Sequence, residues 1–146
     1  VAGEAVNIYF AGAIRGGRDD QEFYQAIIGQ LRRYGRVLTE HVGSERLTGQ
    51  GELDSNQAIY ERDLNWLRAA GCLVAEVTTP SLGVGYEIGK ATEWGKRVLC
   101  LFRPEAGRVL SAMIAGNSQV VVAEYATPAD VARILEDFFG QPPAQP

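Results

Sequence analysis

The chain has little that would tie it to a metal, a membrane or a nucleic-acid polymer. Its 146 residues include two cysteines and one histidine, too few for the usual structural zinc set. Cys72 and Cys100 both lie inside apolar runs, where a small buried hydrophobe is the plain reading. No metal is expected, and a reducing compartment is: the cytoplasm, with the nucleus also allowed. Basic residues are outnumbered, 14 Lys and Arg against 18 Asp and Glu, which argues against a sequence-independent grip on a polyanion. No apolar run approaches the ~20 residues of a membrane span, and the first residues lack the basic and apolar regions of a signal peptide.

What is present is an ordinary balance of 46% apolar and 22% charged residues, enough for one hydrophobic core. Five apolar, strand-like runs recur at Val6–Ala11, Arg36–Glu40, Cys72–Val77, Arg97–Phe102 and Gln119–Tyr125. Between them lie segments of helical period: Asp19–Tyr34 (Phe23, Ile27, Ile28, Leu31), about Ser55–Ala70 (Ile59, Leu64, Leu67), Tyr86–Trp94, a short Val109–Ala115, and Pro128–Phe139 with Thr127 as N-cap. Strands alternating with helices imply parallel βαβ units covered on both faces. The expected fold is therefore α/β: a three-layer α/β/α, flavodoxin-like, five-stranded parallel sheet of order 2-1-3-4-5. One domain is expected over residues 1–139, with a disordered tail at 140–146; the polar stretch Gly43–Ser55 reads as a mobile loop.

In such a sheet ligands sit beyond the carboxyl ends of the strands, where strand order reverses between the first and third. Two glycine-rich stretches follow those strands. The first runs Gly12-Ala13-Ile14-Arg15-Gly16-Gly17-Arg18; its glycines let backbone approach a ligand, and Arg15 or Arg18 offers a planar fork to phosphate. A tight strand-to-helix turn with exposed arginines fits equally well. The second runs Thr79-Pro80-Ser81-Leu82-Gly83-Val84-Gly85-Tyr86-Glu87-Ile88-Gly89; its first part, up to Gly85, reads as a backbone-exposing loop whose free amides suit an anion. Its glycine spacing and its place after the third strand exclude a Rossmann dinucleotide site, and no P-loop motif occurs. Glu87 is expected in the first turn of the following helix, where an acid would stabilise the helix dipole. Asp63 lies on the helix before the third strand, where most acids are merely solvated. Taken together, two carboxylates on separate helices facing one crevice are also the equipment of a retaining glycosidase. His41, ending the second strand run, is read as a substrate contact, with a packing or hydrogen-bonding histidine the plainer alternative. Ser111, in Leu110-Ser111-Ala112-Met113-Ile114, is a candidate donor on an apolar segment that reads as either a dimer face or a plain surface helix.

These motifs, Tyr9–Gly17, Leu38–His41, Asp63–Leu67, Pro80–Glu87 and Gly107–Ile114, resemble those of the 2′-deoxynucleoside 5′-phosphate N-hydrolases, relatives of the nucleoside 2-deoxyribosyltransferases. The resemblance runs from about Tyr9 to Phe139. It implies a homodimer, without cofactor, that cleaves the N-glycosidic bond of a (deoxy)nucleoside 5′-monophosphate. It also implies roles: Glu87 as nucleophile at C1′, Asp63 as the acid that protonates the leaving base and then activates water, and Tyr9 orienting Glu87. Gly12, Ala13, Ile14, Arg15, Gly16, Gly17, Arg18, Ser81 and Gly83 would line the sugar-phosphate site, with His41 near the substrate. Ser111, Ala112 and Met113 would reach the partner subunit's site. Ala13 departs from the serine common at that position, so phosphate binding is expected to lean on backbone amides, Arg15, Ser81 and Ser111. Glu87 is expected to stay ionised beside amides, and Asp63 to hold a proton through burial. A deoxyribosyltransferase, a hydrolase of cytidine 5′-monophosphate or its hydroxymethyl form, and a non-catalytic nucleotide-binding module stand as alternatives.

Overall fold

The structure, a computed structural model, describes residues 6–14, 20–39, 55–105 and 107–140. Five strands, β1 (Val6–Ala11), β2 (Gly35–Leu38), β3 (Cys72–Glu76), β4 (Arg97–Phe102) and β5 (Val120–Glu124), form one parallel sheet. Its order is β2-β1-β3-β4-β5, as expected. The helices are α1 (Gln21–Leu31), α2 (Asn56–Ala69), α3 (Leu82–Glu93), α4 (Ala112–Ala115) and α5 (Pro128–Phe139).

Period-2 alternation in the strands divides the core into two layers. Ile8, Phe10, Val74, Leu99 and Leu101 face α1 and α5, whose Ile27, Ile28, Leu31, Val131, Leu135 and Phe138 close that side. Tyr9, Leu73, Ala75, Val98 and Cys100 face the other way, against Leu67 of α2 and Val84, Ile88 and Ala91 of α3. The central strand β3 is buried along its whole length, the mark of a parallel strand covered on both faces. Both cysteines are free and buried.

Local chemistry sets the ends of the elements. Thr127 caps α5, accepting from the Asp130 amide at 3.2 Å while Asp130 returns the favour to the Thr127 amide at 3.0 Å, with Pro128 in the first turn. Strand β2 ends at Leu38, earlier than its apolar run implied, because Thr39 turns the chain into the left-handed region at φ 67°. The Thr39 hydroxyl then bonds the Phe10 carbonyl of β1, which anchors that turn to the neighbouring strand. Gly35 admits the close approach of β1: a Cβ there would meet the Val6 carbonyl oxygen at 1.8 Å. The expected loop at Gly43–Ser55 falls, apart from Ser55, outside the described residues, as does the tail beyond Gly140.

Candidate active site

The largest departure from expectation lies at α3. Its glycine-rich start is helix rather than loop: Ser81 is the N-cap, its hydroxyl accepting from the Val84 amide at 3.3 Å, and the helix runs on through Gly83, Gly85 and Gly89. Each helical glycine costs about 1 kcal/mol against alanine. The cap and the burial of Val84, Ile88 and Ala91 against the sheet offset that cost. Glu87 consequently sits in the second turn, and no acid occupies the first. The helix-dipole reading of Glu87 fails, since that effect fades beyond the first turn.

One turn inside the helix, Glu87 meets β1. Tyr9 is nearly fully buried, and its hydroxyl donates to Glu87 Oε2. Helix α2 supplies Asp63 from the opposite wall, one residue before the buried Leu64; Arg62 donates to its Oδ1 from Nε at 3.0 Å and Nη2 at 2.9 Å. Asp63 and Glu87 line one cavity of about 800 Å³. Gly12 and Ile14 form its β1 side, Pro80, Ser81 and Gly83 the start of α3, and Asn56, Ile59 and Tyr60 its outer wall on α2. A deeper recess of about 30 Å³ lies between Tyr9, Gly12, Thr39, Asp63 and Glu87. The cleft thus presents two acids from separate helices around one small polar floor.

The protonation pattern differs from expectation. Burial pushes the Glu87 carboxyl up to about 7; the Tyr9 hydrogen bond opposes the rise and the charge of Asp63 adds to it. Tyr9 is raised far above the usual phenol range by burial and by both carboxylates, so it stays a donor. The expected amide support of an ionised Glu87 is not seen: its hydrogen-bond partner among the described residues is a neutral hydroxyl. Asp63, expected to be secluded by burial, has a side chain only 18% exposed and lies against the Arg62 guanidinium.

Gly12 and Ala13 also differ from their expected use. A Cβ on Gly12 would meet the Tyr24 ring at 3.0 Å, so this glycine makes room for a core aromatic as well as lining the cavity. The Ala13 amide donates to the Tyr24 hydroxyl at 3.1 Å, and Ala13 is itself buried, which leaves its N–H engaged with protein rather than open to phosphate. Arg15, Gly16, Gly17, Arg18 and His41 lie outside the described residues. Ser111 caps α4, accepting from the Met113 amide at 3.2 Å; Ser111, Ala112 and Met113 are exposed and do not line the cavity of their own chain. Among the described residues, no three His, Cys, Asp or Glu side chains are grouped to hold a metal ion.

Sequence reasoning missed Thr39 on the cavity floor, Tyr60 and Tyr86 at its mouth with hydroxyls 3.0 Å apart, and a buried cluster around Arg103 beside it. For Tyr60 a signal existed, since it precedes Asp63 by three residues on the same helix face. For Arg103 there was none: its partners come from distant segments.

Comparison with known proteins identifies the family. Residues 8–131 match the family model of the nucleoside 2-deoxyribosyltransferases. The chain is 54% identical over 145 residues to a mouse protein named 5-hydroxymethyl-dUMP N-hydrolase, covering 94% of this chain and 83% of that one. The human protein of the same name is 50% identical over 144 residues, at 94% and 82% coverage. Among solved structures, a 2-deoxyribosyltransferase from Bacillus psychrosaccharolyticus superposes with TM-score 0.65 at 15% identity, over 95% of this chain and 99% of that one. A CMP N-glycosidase from Clostridium botulinum gives 0.63 at 17% identity, over 90% and 98%. At such identities the two structures speak for the fold alone.

Proposed function

The chain belongs to the nucleoside 2-deoxyribosyltransferase family, and from that premise we propose that it is an N-glycosidase. Its reaction is the hydrolysis of 2′-deoxynucleoside 5′-monophosphates, 5-hydroxymethyl-dUMP among them, to free base and deoxyribose 5-phosphate. The observation that carries this reading is the Tyr9–Glu87 hydrogen bond on the floor of a cleft that Asp63 also faces, in a chain half identical to proteins named for that activity.

Cleavage of an N-glycosidic bond passes through an oxocarbenium-like sugar. A 2′-deoxy sugar lacks an electron-withdrawing hydroxyl, so that cation forms more readily. Glu87, with its carboxylate held by Tyr9, attacks C1′ as the bond to the base breaks. Asp63 supplies the proton to the departing base, then takes one from the water that releases the sugar. Burial holds the Glu87 carboxyl at about 7, so it is only partly ionised at neutral pH. Productive turnover therefore requires Glu87 to have ionised. Remote anchoring of the 5′-phosphate near Ser81, at the amino end of α3, would orient the sugar.

The second subunit enters the same reading. Val109 and Met113 are 88% and 84% exposed, an unusual degree for large apolar side chains; burial against a second copy would place Ser111, Ala112 and Met113 at the partner's cleft. Two buried free thiols fit residence in a reducing compartment, the cytoplasm or nucleus.

A panel of monophosphates varied at the base and at C2′, each with and without an acceptor base, tests the proposal. Free-base release from deoxynucleotides is expected, with little from the unphosphorylated nucleosides. Formation of a new nucleoside in the presence of acceptor would instead identify a transferase.

A further inference from the structure

We infer that Arg103, which does not line the cleft, is a positioning residue that holds the amino end of α3 where the substrate's phosphate is bound. The inference rests on the phosphate-anchoring part of the proposed function and assigns the device that makes it rigid.

Arg103 follows β4 and is buried, its guanidinium stacked 3.7 Å above the Phe23 ring. All three of its side-chain nitrogens are engaged. Nη2 donates to Asp20 Oδ1 at 2.6 Å and to Glu105 at 3.0 Å. Nη1 donates to Glu76 Oε2 and to the Tyr125 hydroxyl, each at 3.2 Å, and Nε donates to Glu105 at 3.3 Å. Its backbone amide donates to the Thr78 hydroxyl at 2.9 Å. Thr78 in turn is bound twice to Glu76.

The telling member is Asp20. It occupies the N-cap position of α1, where an aspartate ordinarily accepts from its own helix, yet it makes no such cap bond. Its carboxylate turns outward instead: Oδ1 meets Arg103 and Oδ2 accepts from the Thr79 hydroxyl at 2.5 Å. Thr79 lies two residues before Ser81, the cap of α3 and part of the cleft wall. Arg103 and Asp20 thus lock the start of α1 to the turn that launches α3, so that Ser81 and Gly83 keep a fixed position relative to β1. A planar fork is needed because a single ammonium cannot meet Asp20, Glu76 and Glu105 together.

Thr79→Val removes one hydroxyl from a half-buried turn and is the gentle test; Arg103→Met and Arg103→Lys are the severe ones. The readout is the ratio of kcat/KM for a deoxynucleoside 5′-monophosphate to that for the matching nucleoside, which loss of folded protein does not alter. Thr79→Val is expected to lower this ratio about tenfold, the cost of one charge-assisted hydrogen bond, through a raised nucleotide KM. Arg103→Met should lower it further, and Arg103→Lys should not restore it. A ratio within about twofold of the parent in Thr79→Val overturns the inference. Calorimetric binding of deoxyribose 5-phosphate separates the two readings: a parent protein that binds it without releasing base from any nucleotide sinks the proposed reaction, and the clamp then stands or falls on whether Thr79→Val weakens that binding.

Discussion

Two buried glutamates near the carboxyl end of β3 are provisioned in opposite ways. Glu76, at the last position of the strand, is fully buried; its oxygens accept from the Thr78 amide and hydroxyl, the Tyr125 hydroxyl and Arg103. Glu87, eleven residues on, has a single neutral donor, Tyr9, among the described residues. Burial pushes both carboxyls upward. Only at Glu76 does the fold also supply the cation and amide that a buried carboxylate requires. A fully satisfied acid serves architecture, and an under-satisfied one facing a cleft is poised for chemistry.

The largest effect that would sharpen this contrast is at Glu87. Glu87→Ala should lower base release by at least about a thousandfold with the fold intact; a loss below about tenfold would break the contrast. Glu76→Ala should do the reverse. It leaves Arg103 facing one partner fewer in the interior and should cost about 3–5 kcal/mol in denaturant unfolding, while the folded remainder still releases base. Tyr9→Phe comes next: a rate loss of about tenfold is expected.

The pH dependence follows from the Glu87 value. Glu87 works only when ionised and Asp63 only when it carries the proton for the base, so kcat/KM should be bell-shaped in pH, with one limb at the Glu87 midpoint of about 7. Tyr9→Phe should move that midpoint upward, because the lost hydrogen bond favours the ionised form. Stability carries the opposite sign. Between the ordinary carboxyl value of 4.5 and about 7 the folded chain keeps a proton that the unfolded chain has lost, so Glu87 lowers stability by up to ~1.4 kcal/mol per pH unit there and no further above it. Glu87→Gln should therefore raise Tm relative to the parent at about pH 8 and much less at about pH 5.

The sheet was legible because each strand run and each intervening helix carries its own period, and the parallel order follows from their alternation. Pro128 and Thr127 announced α5 outright. The start of α3 was misjudged because two glycines and a proline speak locally for a loop, whereas Ser81 and the apolar triplet Val84, Ile88, Ala91 decide in three dimensions. The same error put Glu87 one turn too early. Strand order sufficed to turn Asp63 and Glu87 toward one cleft, and the family resemblance added Tyr9, but neither gave the protonation of Glu87, which depends on burial depth. Gly12 shows a further limit: a glycine in a ligand-side loop looks like room for a ligand until Tyr24 is found filling that room.

The stereochemistry of bond cleavage tests the account most directly. If Glu87 attacks C1′ and water then displaces it, turnover of a β-deoxynucleoside 5′-monophosphate in methanol-containing buffer must yield the β-methyl deoxyriboside 5-phosphate, read from the anomeric proton by NMR. Retained configuration that disappears with Glu87→Ala is the predicted result. The α-methyl product would mean a single displacement in which solvent, not Glu87, meets the sugar, and would contradict it.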